Sequence, residues 1–492
     1  MKSEAKEIWT SALLGAAALI ALICWLKFQP QLPDVDPTEK IGEKLFENFT
    51  DPSRMKRIQI AQINPDTGEL QKLTLVRDED EETWRLPDAS NFPAENAERV
   101  SKIIAPLLQL SVLNVVNEDA KSTDLIQTEK LHKECGLLNP LTFESAIEVD
   151  EIGKSESGKN LAQGSGLSIK IDGANGETLV DMIVGKRVPE SSATRDNRFV
   201  RMTNDNVVFI VDFSGDSTQD VGTTEFTEYP NRFSFNPMDW VDDDLLRISR
   251  WDVVHLITRD YRFTLAKTNG KFDTLDVRQN GSAVFKQSPE NSLSRVWSVI
   301  GIMKPDKDGS IKPVKISNQE KVDSEKLSEL ANLACSLKIV DVRKKTPALI
   351  SCFNNLRFGI EMTNQSSVLG EFGFSFFDHD PLNPEQIEPL LVGEGGSIEL
   401  QTKNGGDIVL VFGKKFENKR VCLAYAKFDV NLLKEALDDE VEAEYQAPEA
   451  RQKTTLKNER LAQWFYLISE EQFQKLNFSI SNYVVDDSPV TE

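Results

Sequence analysis

Cysteine and histidine are scarce, at five and three in 492 residues. So few ligating side chains exclude a disulfide scaffold, a zinc module or a haem site as the basis of the fold. Positive charge is short as well: 57 Lys and Arg stand against 79 Asp and Glu, a net charge of −22. A body this acidic repels phosphate backbones, so no nucleic acid is expected as a partner. Hydrophobic residues at 39% and charged residues at 28% nevertheless make an ordinary folding mixture rather than a disordered one.

One stretch lacks charge altogether. Ile8 to Leu26 is 19 residues long, and as a helix it would span about 28 Å, close to a bilayer's hydrocarbon thickness. Trp9 and Trp25 stand near its ends, where indole favours the headgroup interface, and Lys27, Pro30 and Pro33 follow. The run is longer than a secretory signal's apolar region, and Phe28-Gln29-Pro30-Gln31 is a poor cleavage site. Ile23 before Cys24 does not suit a lipoprotein signal. The expectation is an uncleaved anchor over residues 8–28. Lys2, Lys6 and the α-amino group precede it, while Lys27 and then Asp34, Asp36 and Glu39 follow. That bias puts residues 1–7 in the cytoplasm and the body outside it, in a single-pass inner-membrane protein.

Residues 29–50 read as a polar linker, with a short helix over Lys40 to Phe49. The alternating Ile of Arg57 to Ile63 predict a strand, Asn64 to Glu69 a turn, and Leu73 to Val76 the returning strand. Pro93-Ala94-Glu95 opens a helix carrying Val100, Ile103, Ile104, Leu107 and Leu110 at helical spacing, with Pro106 expected to kink it. Val112 to Val116 reads as a strand.

An internal repeat is the strongest signal in the chain. Ser168-Ile169-Lys170-Ile171 runs through Asn175-Gly176 to Gly185-Lys186, and Ser397-Ile398-Glu399-Leu400 runs through Asn404-Gly405 to Gly413-Lys414. The helix repeats too: Val100, Ile103, Leu107 and Leu110 align with Leu327, Leu330, Ala334 and Leu337, and each copy is followed by a matching strand. Trp464 to Ile468 corresponds to Val207 to Val211. Two blocks in the same order at nearly one offset indicate a tandem duplication. Unit one is placed at 51–238 and unit two at 239–492, the second with insertions near 286–320 and 431–460. The expected fold is α+β: an N-terminal transmembrane helix, then two repeated units of mainly antiparallel sheet, each with one packed helix and an Asn-Gly hairpin.

Several pieces resemble the bacterial family called domain of unknown function 4340. They are Trp84-Arg85-Leu86, Pro93-Ala94-Glu95, the Val100 to Leu110 helix and Gly136-Leu137-Leu138-Asn139-Pro140. Val184-Gly185-Lys186, Phe199-Val200-Arg201 and the Val207 to Asp212 strand continue the match. It covers most of unit one and, more weakly, unit two, where Phe272 stands roughly where Trp84 does and no Gly-Leu-x-x-Pro follows the helix. The resemblance implies a membrane-anchored protein associated with ABC-type transport systems and brings no catalytic residues with it.

The remaining motifs are each accounted for more simply than by chemistry. Asp378-His379-Asp380 before Pro381 suits a polar turn, since adjacent residues cannot all face one ion. Asp306-Lys307-Asp308-Gly309 lacks the third acid and distal Glu of a calcium loop. Gly164-Ser165-Gly166 is no nucleophile elbow. Gly185-Lys186 and Gly413-Lys414 lack the rest of a P-loop and suit strand-end turns. Cys335 and Cys422 read as core residues, His132 and His255 have no partner at ligand spacing, and Asp242-Asp243-Asp244 reads as a solvated acidic junction. No metal or cofactor is expected, and no enzymatic activity. The expected function is an extracytoplasmic interaction or scaffold protein in a membrane-protein complex. The alternative is a binding protein for a glycan, peptide or other small ligand in a cleft between the units, with Phe233, Phe235, Trp240 and Trp251 as its surface.

Overall fold

The computed structural model describes residues 37–77, 83–94, 97–117, 125–143, 154–189, 195–214, 229–268, 272–289, 295–308, 310–315, 320–358, 364–377, 389–476 and 479–486. Ile8 to Leu26 and Asp378-His379-Asp380 lie outside them. Among the described residues no helix is long and apolar enough to cross a membrane.

The chain is mixed α+β with two large, mainly antiparallel sheets. Sheet one contains β1 (Met55–Ile63), β2 (Leu70–Arg77), β3 (Trp84–Leu86), β4 (Phe92–Ala94), β5 (Val112–Val115), β6 (Leu167–Gly173), β7 (Thr178–Arg187), β8 (Asn197–Met202) and β9 (Phe209–Asp212). Sheet two contains β10 (Val253–Thr268), β11 (Phe272–Pro289), β12 (Arg295–Pro305), β13 (Ile311–Pro313), β14 (Asp341–Lys344), β15 (Ser397–Thr402), β16 (Gly406–Phe416), β17 (Lys419–Phe428) and β18 (Trp464–Ser469). Sheet one runs β4-β3-β2-β1-β6-β7-β8-β9-β5, and sheet two runs β13-β12-β11-β10-β15-β16-β17-β18-β14. Adding nine to each label of the first order gives the second.

Helices α1 (Ala97–Gln109), α2 (Leu125–Cys135) and α3 (Lys154–Gly164) precede β6. Helices α4 (Ser324–Cys335), α5 (Pro347–Asn354), α6 (Ser366–Glu371), α7 (Val430–Leu437), α8 (Glu440–Ala462) and α9 (Glu470–Leu476) accompany sheet two. Each sheet thus has several helices, not the one expected. The first and fourth occupy the same place in the order, just before the edge strands β5 and β14. Leu131, Cys135 and Leu137 pack with Ile183, Phe199 and Val208 over sheet one. Leu349 and Phe353 of α5, Leu369 of α6 and Ala462 of α8 pack with Val409, Val411, Leu423 and Tyr425 over sheet two.

The repeated Gly-Lys pairs are not strand-end turns. They lie inside β7 and β16, where pairing with the next strand slips between Val184 and Arg187 and between Phe412 and Lys415. A bulge forms there in both sheets. A Cβ on Gly185 would stand 2.4 Å from the Cys135 carbonyl oxygen, and one on Gly413 would stand 2.3 Å from that of Phe372. The residues after those carbonyls, Gly136 and Gly373, both have positive φ, at +69° and +79°. Gly373-Phe374 therefore does for sheet two what Gly136-Leu137 does for sheet one, although the sequence around it differs. The Asn-Gly turns also match: Gly176 and Gly405 have φ of +75° and +77° in the β6–β7 and β15–β16 connections.

Other expectations are corrected. Pro93 and Ala94 belong to β4, and α1 starts at Ala97 and runs through Pro106. Lys40 to Phe49 is not a helix. Within the expected linker, Gly42 and Leu45 donate to the Val112 and Leu110 carbonyls, and Leu45, Phe46 and Phe49 are buried. The stretch 286–320 is not simply an insertion, because β12 and β13 hold the places of β3 and β4. Trp297 on β12, not Phe272 on β11, shares Trp84's strand. What lengthens sheet two is its first hairpin, of 16 and 18 residues against 9 and 8. Among the described residues, contacts group those from 37 to 74 with those between Glu98 and Phe235, and those between Leu75 and Ala97 with those from Asn236 to 486. Within the second group Phe92 meets Trp464 edge-on at 5.0 Å.

Candidate functional site

A row of charge crosses sheet two. Strand pairing sets Ile257 opposite Glu399, Gln401 opposite Asp407 and Asp407 opposite Lys427. Side chains two apart on a strand share a face, so Arg259, Glu399, Asp407 and Lys427 fall on one side. Arg259 Nη1 donates to Glu399 Oε2 at 2.8 Å, Gln401 Nε2 donates to Glu399 Oε1 at 3.0 Å, and Lys427 Nζ lies 2.9 Å from Asp407 Oδ2. Among the described residues, Asp407 Oδ1 is buried without a hydrogen-bond partner.

Burial pushes the Glu399 carboxyl up, but Arg259, Lys427 and its hydrogen bonds outweigh that and hold it at about 2. Burial and the Glu399 charge push Asp407 well above the usual carboxylate range. The neighbouring carboxylates thus shift in opposite directions, as close buried acids do. Glu399 and Asp407 are both buried. In sheet one the corresponding Lys170 is half-buried, with Asp172 at 3.9 Å.

Sheet two carries two helices between β17 and β18, where sheet one has none between β8 and β9. Helices α7 and α8 fill the expected insertion 431–460 and extend slightly beyond it. Glu435 of α7 bonds Lys286 and stands 3.6 Å from His255 Nε2. Asn458 of α8 accepts from the Ala426 amide at 3.0 Å and donates to the Phe353 carbonyl at 2.9 Å. Lys457 and Arg460 donate to the Leu246 and Leu245 carbonyls. Lys345 donates to the Leu461 and Ala462 carbonyls, at the helix end where a cation is favoured, with its Nζ 4.0 Å from the Phe353 ring centre. Burial holds Lys345 well below the usual lysine value and Lys457 at about 8.

Arginines fasten both bulges. Arg198 Nη1 donates to the Gly185 carbonyl at 3.2 Å and Arg420 Nη1 to that of Gly413 at 2.9 Å. Arg198 pairs with buried Asp196 at 2.7 Å, and Arg420 forks onto Glu470. Arg201 donates to the carbonyls of Leu137, Met202, Thr203 and Asp205.

The four aromatic residues proposed as a ligand surface do not share one fate. Phe233 is buried edge-on to Tyr229 at 5.3 Å, and Trp240 is buried, so neither ring is presented to a ligand. Phe235 is partly buried. Trp251 is 48% exposed, with the Arg250 guanidinium 4.4 Å from its ring centre.

His132 is buried beside the Asn206 carbonyl, and burial lowers its pKa. Cys135, Cys335, Cys352 and Cys422 are buried. The acidic junction is paired rather than merely solvated: Asp242 meets Arg247 at 3.0 Å and Asp243 meets Lys338 at 2.8 Å. Among the described residues no cluster of three or more His, Cys, Asp or Glu could hold a metal ion.

A cavity of about 290 Å³ opens beside the β10–β11 bulge, lined by Asp260, Asn280, Lys304, Ser479 and Ser481 over Gly281. Burial raises the Asp260 carboxyl, against a long 3.4 Å hydrogen bond from Asn280. No family model, curated protein or solved structure matches the chain.

Proposed function

We propose that the protein is a membrane-tethered, extracytoplasmic interaction protein, an accessory component of an ABC-type transport assembly. In this reading Ile8 to Leu26 is the anchor, the N-terminus is cytoplasmic, and the two copies of a duplicated unit (51–238 and 239–492) act by binding. The observation that carries it is the destination of buried charge. Arg198, Arg201, Arg420 and Lys345 direct their donors to main-chain carbonyls, and Arg259 to a buried carboxylate. These groups stiffen two sheets of the same strand order. Tethering such a body raises its effective concentration toward a membrane complex.

Alkaline carbonate washing should leave the protein in the membrane pellet, and protease added to spheroplasts should degrade the body. In-cell crosslinking should recover a transporter subunit. Release by carbonate, or protection of the body, would overturn the tether. Crosslinks confined to soluble proteins would overturn the transport association.

The cavity at Asp260 supports a second reading, a binding protein for a small polar ligand. Its test is a thermal-shift panel of amino acids and sugars, in which a stabilising compound should lose its effect in Asp260→Asn.

A further inference from the structure

Helix α8 has two faces. Ala443, Thr454, Asn458, Leu461 and Ala462 are buried against the rest of unit two. On the opposite side Val441 is 79% exposed, Tyr445 82% and Leu456 59%. Pro448 and Gln452, also exposed, complete a stripe with steps of four, three, four and four residues, which is one face of a helix. Its inner side is fixed by Asn458, Lys457 and Arg460, so this apolar stripe is held outward on a rigid support. Three large apolar side chains, Val441, Tyr445 and Leu456, held in water on one helix face mark an interaction surface.

The charges beside the stripe indicate what covers it. Glu442 and Lys453 are eleven residues apart, about three turns, and so lie on the same flank. Glu444 and Arg451 are seven apart, about two turns, and lie together on the other flank. Both pairs are symmetric about the same point, between Ala447 and Pro448. A two-fold axis there brings a second α8 alongside in the antiparallel sense. It sets Glu442 level with the second copy's Lys453, and Glu444 level with the second copy's Arg451, on both flanks. Lys453 already lies 2.6 Å from Glu449, and Arg451 stands over the Phe428 ring at 4.8 Å, so both cations are held near those flanks. The same operation lays Val441 beside Leu456 of the other copy and the two Tyr445 rings near the axis. Such a self-complementary patch is the signature of an isologous interface.

We propose that α8 is a homodimerisation helix, pairing antiparallel with α8 of a second copy of this chain about that axis. The proposal is independent of the tether.

The test uses the full-length chain, purified with mild detergent, in sedimentation over a concentration series. The wild type should shift from monomer to dimer, and Tyr445→Asp should remain monomeric. An all-acidic variant (Arg451→Glu with Lys453→Glu) and an all-basic one (Glu442→Lys with Glu444→Lys) should each be monomeric alone and form a mixed dimer when combined. These positions are exposed, and unchanged far-UV circular dichroism would verify folding. In a Cys24→Ser background, Pro448→Cys should give a disulfide-linked dimer on mild oxidation, whereas Glu459→Cys, far from the axis, should not. A wild type that stays monomeric throughout would overturn the proposal. So would charge variants that dimerise as the wild type does, or crosslinking through Cys at 459 but not 448.

Discussion

Glu399→Gln probes the charged row of sheet two directly. It keeps the side-chain volume and removes the anion that Arg259 meets at 2.8 Å. Both side chains are almost wholly buried, so the guanidinium would be left without its counter-charge. Removing one member of a buried pair costs about 3–5 kcal/mol. The amide still accepts a hydrogen bond, and Asp407, relieved of the neighbouring charge, can ionise and replace part of the lost field. The expected loss therefore sits at the low end, about 3 kcal/mol. Urea unfolding followed by tryptophan fluorescence reads it, since Trp297 and Trp464 are both buried with sheet two. With a denaturant slope of about 2 kcal/mol per molar, the midpoint for this unit should fall by about 1.5 M. Replacing both partners, as Arg259→Met with Glu399→Leu, should recover most of the loss, because no lone buried charge remains. A midpoint shift below about 0.3 M for the single variant, the size expected of an exposed pair, would refute the reasoning.

Asp407 is raised, so the folded state holds its proton longer than the unfolded chain does, and wild-type stability should decline as pH rises from about 4 through its folded value. Asp407→Asn should remove that decline in a pH series of thermal melts. Glu399, held at about 2, has the opposite sign: its contribution is fully present above its unfolded value and is lost as pH falls toward 2. Lys345 is depressed, so the unfolded chain binds its proton more readily and wild-type stability should rise from its folded value toward about 10. Lys345→Met should lack that rise, and calorimetry at several pH values would show it. Gly185→Ala and Gly413→Ala should each cost about 3 kcal/mol, because the added carbon meets main-chain oxygen. Gly176→Ala, with open space around it and only a positive φ to oppose it, should cost about 1 kcal/mol by the same urea assay.

The repeated cores were legible because alternation and helical spacing are local signals. Ile169 and Ile171, or Ile398 and Leu400, face inward two residues apart, and the Asn-Gly turns between β6 and β7 and between β15 and β16 announce themselves in two letters. The bulge locks were not legible. Arg198 reaches Gly185 across 13 residues, and Gly413 lies under Phe372, 41 positions away; only the folded sheet brings either pair together. The charged row was missed for a related reason. Glu399 and Gln401 alternate with Ile398 and Leu400, which read alone predicts a solvent-facing side. Val409, Val411 and Tyr425 on that side pack under α5, α6 and the end of α8, and local periodicity cannot report a cover contributed from elsewhere. The long β10–β11 hairpin and the β12–β13 pair were obscured because sheet two's strands outgrew their counterparts, which made a whole pair of strands resemble added sequence.

The excursion that carries α7 and α8 also bears on how the two sheets assemble. Six residues join β8 to β9, whereas 35 separate β17 from β18. Bringing the ends of the longer segment together costs about 1.6 kcal/mol more in chain entropy, which is roughly a tenfold handicap in closing that ladder before α8 has formed. The sheet synthesised first is thus also the quicker to zip, and it can be complete while β18 is still searching for β17. During that interval the unpaired edge of β17 and the inner face of α8 are open to wrong partners, among them the β18 of another molecule. Exchange of that strand between copies is therefore the misfolding route this topology favours at high concentration.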